Sequence, residues 1–234
     1  MYFLEQNEPQ ASNLIHSPNQ CNCDKKQCPL HVLFGNLSEQ TCKSFQILAN
    51  DQLFMQDLDI DRIYFVKSGL VKTYRREKSK VQLINLYNKK FIDLYFMLGQ
   101  TKFPYYAQAL TNSEICFINK KVFIEELIGS TIRLDKFLKI AATESELNQN
   151  LLFYNKGING KIAYYLLFLA EQVFNNLCFN LPFTKTEFAS FLGCSREYMC
   201  KKLTELHEDA VIMMRGNSVQ ITNRENLWNI YKFG

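Results

Sequence analysis

The chain has 234 residues, 47% of them hydrophobic and 14% aromatic. That is the composition of a packed protein with room for one large or two ordinary domains, and it excludes a disordered tail. With 27 Lys and Arg against 23 Asp and Glu the formal net charge is +4, mildly basic and compatible with a nucleic-acid partner without requiring one. No apolar run approaches the roughly eighteen residues of a membrane span. The longest, Ile162 to Ala170, is interrupted by Tyr164 and Tyr165. The first residues show no basic segment leading into an apolar one, so a cytoplasmic location away from membranes is expected.

Residues 1 to about 20 are polar, without a sustained period, and read as an arm. Cys21, Cys23 and Cys28 follow within a segment poor in other apolar side chains. In a reducing compartment they do not read as a disulfide framework. From about Phe45 to Phe123 short β-type runs alternate with turns: Arg62 to Val66, Leu70 to Tyr74, Val81 to Tyr87, Tyr105 to Leu110 and Ile115 to Ile118. Strands of that length at such spacing point to an antiparallel sandwich or roll.

At Thr131 the period changes. Phe137, Ile140, Leu147, Leu151 and Tyr154 recur at three- and four-residue steps, which predicts an amphipathic helix running to Gly157. Its apolar stripe is wide enough to pack on the roll and also to meet a second copy of itself. Gly157 and Gly160 mark a boundary, after which a second helix is expected from about Lys161 to Phe174.

Residues 184 to 206 read TKTEFASFLGCSREYMCKKLTEL. Thr184 and Thr186 are candidate caps for a helix from Glu187 to Leu192, and Gly193 supplies the positive φ of a tight turn. Ser195 caps a second helix, with Met199, Leu203 and Leu206 facing inward and Arg196, Glu197, Cys200 and Lys201 outward. This is a helix-turn-helix, whose second helix enters the major groove of double-stranded DNA. Arg196 can pair with guanine O6 and N7, and Glu197 can accept from the cytosine amino group. Lys201 can reach a base or a phosphate, while Lys202 and Thr184 are placed for phosphates; Cys200 can touch DNA as a small side chain. Val211 to Met214, a turn at Arg215 to Ser218, and Val219 to Thr222 predict a β-hairpin wing. No nucleophile–base arrangement, P-loop or dinucleotide fingerprint is present, and no enzymatic function is expected.

The string Leu192-Gly193-Cys194-Ser195-Arg196-Glu197, with a basic residue at 201, resembles the recognition helix of the CRP/FNR family of bacterial transcription regulators. Val66 to Lys72 is similar to that family's strand-turn-strand around a glycine. The resemblance covers about residues 45 to 234. It implies an α+β fold: an antiparallel β-roll of the cyclic-nucleotide-binding, double-stranded β-helix type, then a long dimerisation helix and a winged helix-turn-helix. The corresponding division is an arm with cysteines (1–30), a β-roll sensor (31–130), a dimerisation helix (131–157) and a DNA-binding domain (158–234). It further implies a homodimer on a pseudo-palindromic operator, with RNA polymerase as a further partner and Arg196, Glu197 and Lys201 as base readers. Asp209-Ala210 departs from the family, which usually has a glycine before the wing.

Cyclic-nucleotide-binding members carry a Gly-Glu pair and an Arg-Ser pair in the roll. Asn88 to Gln108 has neither, so cAMP is not expected. The FNR branch holds an iron–sulfur cluster on a cysteine group ahead of the roll and a distant fourth cysteine. Ala107 to Cys116 resembles the FNR segment ending in that cysteine, which implies Cys21, Cys23, Cys28 and Cys116 as ligands of a 4Fe-4S cluster that responds to oxygen. The Cys-x-Cys-x4-Cys spacing departs from the usual Cys-x2-Cys steps. Other readings of these cysteines stay open: a zinc site with His31, a thiol switch without metal, or unligated side chains, with Cys42 as a spare ligand. Equally open is the same scaffold gated by a small molecule other than a cyclic nucleotide. Cys178, Cys194 and Cys200 read as packing residues.

Overall fold

The computed structural model describes residues 19–20, 28–35, 41–77, 80–153 and 157–234, with backbone alone for 19–20, 77, 80 and 143–153. Cys21, Cys23 and Tyr154 lie outside the described residues, and Leu147 and Leu151 are described by backbone only. In chain order come β1 (Asn19–Gln20), α1 (Pro29–Phe34), β2 (Cys42–Ile47), β3 (Gln52–Phe54), β4 (Arg62–Ser68), β5 (Val71–Glu77) and β6 (Lys80–Tyr87). Next are α2 (Leu94–Gly99), β7 (Tyr106–Ala109), β8 (Ser113–Asn119), α3 (Lys120–Ile128) and α4 (Thr131–Phe153). The C-terminal part holds α5 (Ile158–Phe168), a π-helical turn (Leu169–Phe174), β9 (Cys178–Asn180), α6 (Lys185–Leu192), α7 (Arg196–Glu208), β10 (Ile212–Arg215), β11 (Ser218–Ile221) and α8 (Arg224–Phe233).

The alternating runs form two four-stranded antiparallel sheets, ordered β1-β2-β8-β4 and β3-β7-β5-β6. Ile63, Val66 and Ile115 from the first share one core with Val71, Ala107 and Ala109 from the second, so the sheets close as a roll. Gly69 makes the turn between β4 and β5 at φ +85°. A Cβ there would collide with Ser113 Oγ and sit 2.6 Å from the Asn112 carbonyl, so only glycine fits. The short helices α1, α2 and α3 have no counterpart in the sequence reading, because six to nine residues carry too few turns for a period to stand out.

α4 begins where the period changes. Phe137 is buried against Phe123 of α3, with ring centroids 6.3 Å apart, and Ile140 packs on the same core. Ile132, Leu134 and Leu138 point away from that core, with 69%, 42% and 56% of their surface exposed. The long helix therefore packs one apolar face on the roll and leaves another uncovered within the monomer.

The second core gathers α5, α6, α7, α8 and the three-stranded sheet β10-β11-β9. It also takes in Leu70, Leu83, Leu86 and Leu110 of the roll. Burying a leucine contributes roughly 1.5–3 kcal/mol relative to leaving it exposed, so this apolar seam fixes the C-terminal domain on the outside of β6.

Candidate nucleic-acid interface

Thr184 is the N-cap of α6 and forms a full capping box. Its Oγ1 accepts from the Glu187 amide at 3.1 Å, while its own amide and hydroxyl donate to Glu187 Oε2 at 2.9 and 3.0 Å. Thr186 lies inside the helix and caps nothing. Helix α6 ends at Gly193, φ +78°, the left-handed residue expected at the turn. Ser195 caps α7, its Oγ accepting from the Tyr198 amide at 3.1 Å. Met199, Leu203 and Leu206 are buried, which turns the opposite face of α7 to solvent.

By helical periodicity Glu197 and Lys201 lie at the centre of that outward face, with Arg196 and Cys200 on one flank and Tyr198 and Lys202 on the other. Arg196, Glu197 and Lys201 are exposed; Cys200 and Lys202 are half-buried. The Lys202 ammonium donates to Glu205 at 2.7 Å and lies 5.5 Å from the Tyr198 ring centre, so one of its three donors is already engaged along the helix. Tyr198, 45% exposed at the first turn of α7, is absent from the sequence-based set. Its signal was position: it follows Arg196 and Glu197 directly, on a face that an inward-facing tyrosine could not occupy.

The wing is β10 and β11, paired Ile212–Ile221 through Arg215–Ser218 around a two-residue turn with Gly216 at φ +63°. β9 joins β11 as a third strand; three residues were too few to detect from sequence. Asp209 closes α7, and Ala210 then adopts φ +53°, the left-handed conformation that glycine takes at lower cost. The alanine thus occupies a glycine geometry and carries backbone strain.

α6 is also fixed from behind. The Lys72 ammonium on β5 donates to Glu187 Oε1 at 2.6 Å, with side chains only 8% and 15% exposed. Burial alone would raise the Glu187 pKa, but hydrogen bonds from Lys72 and Thr184, and the Lys72 charge, outweigh it and hold the carboxyl below its ordinary range. One carboxylate therefore serves the helix cap through Oε2 and the interdomain contact through Oε1.

The cysteines separate by environment. Cys28 and Cys116 are buried in the core of the roll, Cys28 as N-cap of α1 and Cys116 in the middle of β8, opposite Ser44 of β2 and Phe65 of β4. Cys42 is buried in the same core. His31, in α1, has Nδ1 3.1 Å from the Gly35 carbonyl. Among the described residues no three His, Cys, Asp or Glu side chains converge as a metal site. Cys178 is exposed, which corrects its reading as a packing residue: it lies at the start of the added strand β9. Cys194 is half-buried, and burial pushes its thiol pKa up, against a smaller opposing effect of Lys161, so the reactive thiolate is disfavoured. At the mouth of the roll the Tyr105 hydroxyl donates to the Asp93 carboxylate.

Residues 45–128 match the family model of the cyclic nucleotide-binding domain, and residues 160–230 match that of the Crp-like helix-turn-helix domain. The chain belongs to the CRP/FNR family of transcription regulators. As a CRP/FNR regulator it is similar to the fumarate and nitrate reduction regulatory protein of Escherichia coli K12, 22% identical over 183 residues that cover 75% of this chain and 73% of that protein. The same protein of Vibrio cholerae is 21% identical over 192 residues, covering 79% and 76%. Among solved structures, FixK2 from Bradyrhizobium japonicum superposes with a TM-score of 0.64 at 18% identity, covering 81% of this chain and 96% of its own. A CRP-family transcriptional regulator from Thermus thermophilus gives 0.62 at 16% identity, covering 80% and 96%. The order of the two domains and the roll-plus-helix-turn-helix architecture make this regulator a DNA-binding protein. Among the described residues no helix is long and apolar enough to cross a membrane.

Proposed function

We propose that two copies of the chain pair through α4 and that each lays α7 in the major groove of one half of a pseudo-palindromic operator. Arg196, Glu197 and Lys201 read base edges there; Thr184, Ser195 and Lys202 make phosphate contacts, and Cys200 and Tyr198 fill the groove beside them. The observation that carries this reading is the exposed face of α7, polar at Glu197 and Lys201, opposite the buried Met199, Leu203 and Leu206 and beside a wing. The uncovered Leu134 and Leu138, four residues apart on one face of α4, support the pairing, since apolar positions on one helix face are what a coiled-coil seam buries. Selection from randomised duplexes, followed by footprinting, tests the reading: the expected product is two inverted half-sites about one helical turn apart. A single unrepeated site, or no enrichment, counts against it. RNA polymerase is the partner such a bound dimer would engage.

We also propose that the controlling signal enters through Cys21, Cys23, Cys28 and Cys116 as ligands of an iron–sulfur group. Such a group supplies oxygen-sensitive redox chemistry when bound. Cys28 and Cys116 fit the role of thiolate donors in one respect: both sit in the same apolar core, where coordination is the favourable way to keep a thiol deprotonated. Two donors do not complete a set, so the proposal requires Cys21 and Cys23. The chain's own part is to bury Cys28, at the start of α1, and Cys116, in the middle of β8, in one core. Anaerobic purification with iron and sulfide analysis tests it. Brown protein that bleaches in air is expected, with both elements lost in Cys116→Ser; colourless anaerobic protein, or zinc in place of iron, overturns it.

A further inference from the structure

A cavity of about 490 Å³ opens between the roll and the DNA-binding domain, a size suited to a small organic ligand. Arg75 and Gln82 of the β5–β6 hairpin, Asp93 and Tyr105 at the mouth of the roll, and Ser190 and Phe191 of α6 all line it. Arg75 shares a strand face with the buried Val71 and Thr73, so it continues an inward row to the rim. Among the described residues its guanidinium makes no ion pair or hydrogen bond. Asp93 faces the same cavity, does not pair with Arg75, and is held by the Tyr105 hydroxyl. Its backbone is left-handed at φ +38°, a strain that persists only where the surroundings hold it. Two unlike charges thus share one cavity without neutralising each other. In the same lining Ile84 and Phe96, 36% and 37% exposed, leave apolar surface in water, and Phe191 adds a third wall.

We propose that this cavity is an effector site for a zwitterionic amino acid with a flat aromatic side chain. Arg75 takes the carboxylate through its planar fork, and Asp93 takes the ammonium with acceptor capacity left after the Tyr105 bond. Phe96, Ile84 and Phe191 cover the ring. Because Ser190 and Phe191 belong to the first helix of the helix-turn-helix, the bound amino acid touches the DNA-binding domain directly. Occupancy therefore selects the position of α6, and through the Gly193 turn that of α7. This coupling rests on the DNA-binding reading above; the binding step does not.

Calorimetric titration of the full chain with L-phenylalanine, L-tyrosine and L-tryptophan tests the binding step without DNA. The amine and the propionate acid of each ring (phenethylamine and 3-phenylpropionate for phenylalanine, and the matching hydroxyphenyl and indole compounds), each lacking one charge, serve as controls. At least one of the three amino acids is expected to bind saturably, and the control matching its ring is expected to bind about tenfold or more weakly. Arg75→Gln is expected to reduce the amino acid to the level of the amine, and Asp93→Asn, which keeps a residue tolerant of positive φ, to that of the acid. Ser190→Trp fills the cavity from the α6 side and is expected to abolish binding. Absence of saturable heat with all three amino acids overturns the site. Equal binding of the controls overturns the zwitterion assignment, and undiminished binding to Ser190→Trp overturns the α6 wall. With the site intact, a change of at least threefold in affinity for a selected duplex on adding the amino acid supports the coupling. No change overturns the coupling alone.

Discussion

Ala210 shows how a single residue can carry strain that its neighbours impose. It must reverse the chain between α7 and β10, and does so at φ +53°. A left-handed non-glycine residue costs about 1–2 kcal/mol, part of which is offset in a glycine variant by its freer unfolded state. Ala210→Gly is therefore expected to stabilise the protein by about 0.5–1 kcal/mol, read as a higher urea midpoint at unchanged slope. A lower midpoint would mean that the alanine methyl makes a favourable contact that outweighs its strain. At the same scale Glu197 stands at the centre of the outward face of α7. Glu197→Ala is expected to relax preference at one base pair in each half-site, a loss of about 1–3 kcal/mol of discrimination, with little change elsewhere in the site. Binding to a panel of single-base operator variants measures it, and an unchanged preference profile would remove Glu197 from the base readers.

At the scale of elements, α6 is held by a capping box and by an ion pair to another domain, both through Glu187. The folded carboxyl titrates below its ordinary value of 4.5. A group with a depressed folded pKa contributes stability that is complete above the unfolded value and lost as pH falls through the folded one. Between pH 7 and 5 the pair is then constant; below about 4.5 its contribution declines. Glu187→Gln is expected to be less stable than the parent at pH 7 and to converge on it as the solution is acidified, in chemical unfolding at a series of pH values. A difference that stays constant to low pH would assign the loss to packing. The element α4 leads to a different expectation. Leu138 is 56% exposed in the monomer, so Leu138→Glu should leave the fold intact. Placed at a self-pairing seam it would set like charges against each other, and sedimentation at micromolar concentration is expected to show monomers in place of dimers. A variant that remains dimeric places the seam elsewhere.

Across the whole molecule, the roll and the DNA-binding domain meet as one packed seam. Leu70, Leu83, Leu86 and Leu110 enter the core of the C-terminal domain, and Lys72 reaches Glu187 across the boundary. A signal that alters the roll therefore has a short mechanical route to α6. The two input proposals, thiolate ligation near Cys116 and an amino acid beside Ser190, act at opposite sides of the roll and can be separated by the Cys116→Ser and Ser190→Trp variants.

Local chemistry settled the elements that announce themselves within one turn or one strand. The Thr184, Gly193 and Ser195 signals delimit the helix-turn-helix because caps and left-handed turns depend on the residue and its near neighbours. The alternation from Arg62 to Tyr87 marks strands for the same reason, and the switch of period at Thr131 marks α4. Long-range placement was not legible. Nothing near Lys72 in sequence indicates a partner at Glu187. Only the fold sets Arg75 in one cavity with Asp93 and Ser190. The inward face of α7 and the outward position of Tyr198 were legible from periodicity, whereas the engagement of Lys202 by Glu205 depended on rotamers. A roll, a long helix and a winged helix-turn-helix thus follow from residue pattern alone. Which charges meet depends on the packed fold, because an ion pair or a cavity between residues more than a hundred positions apart leaves no trace in local pattern.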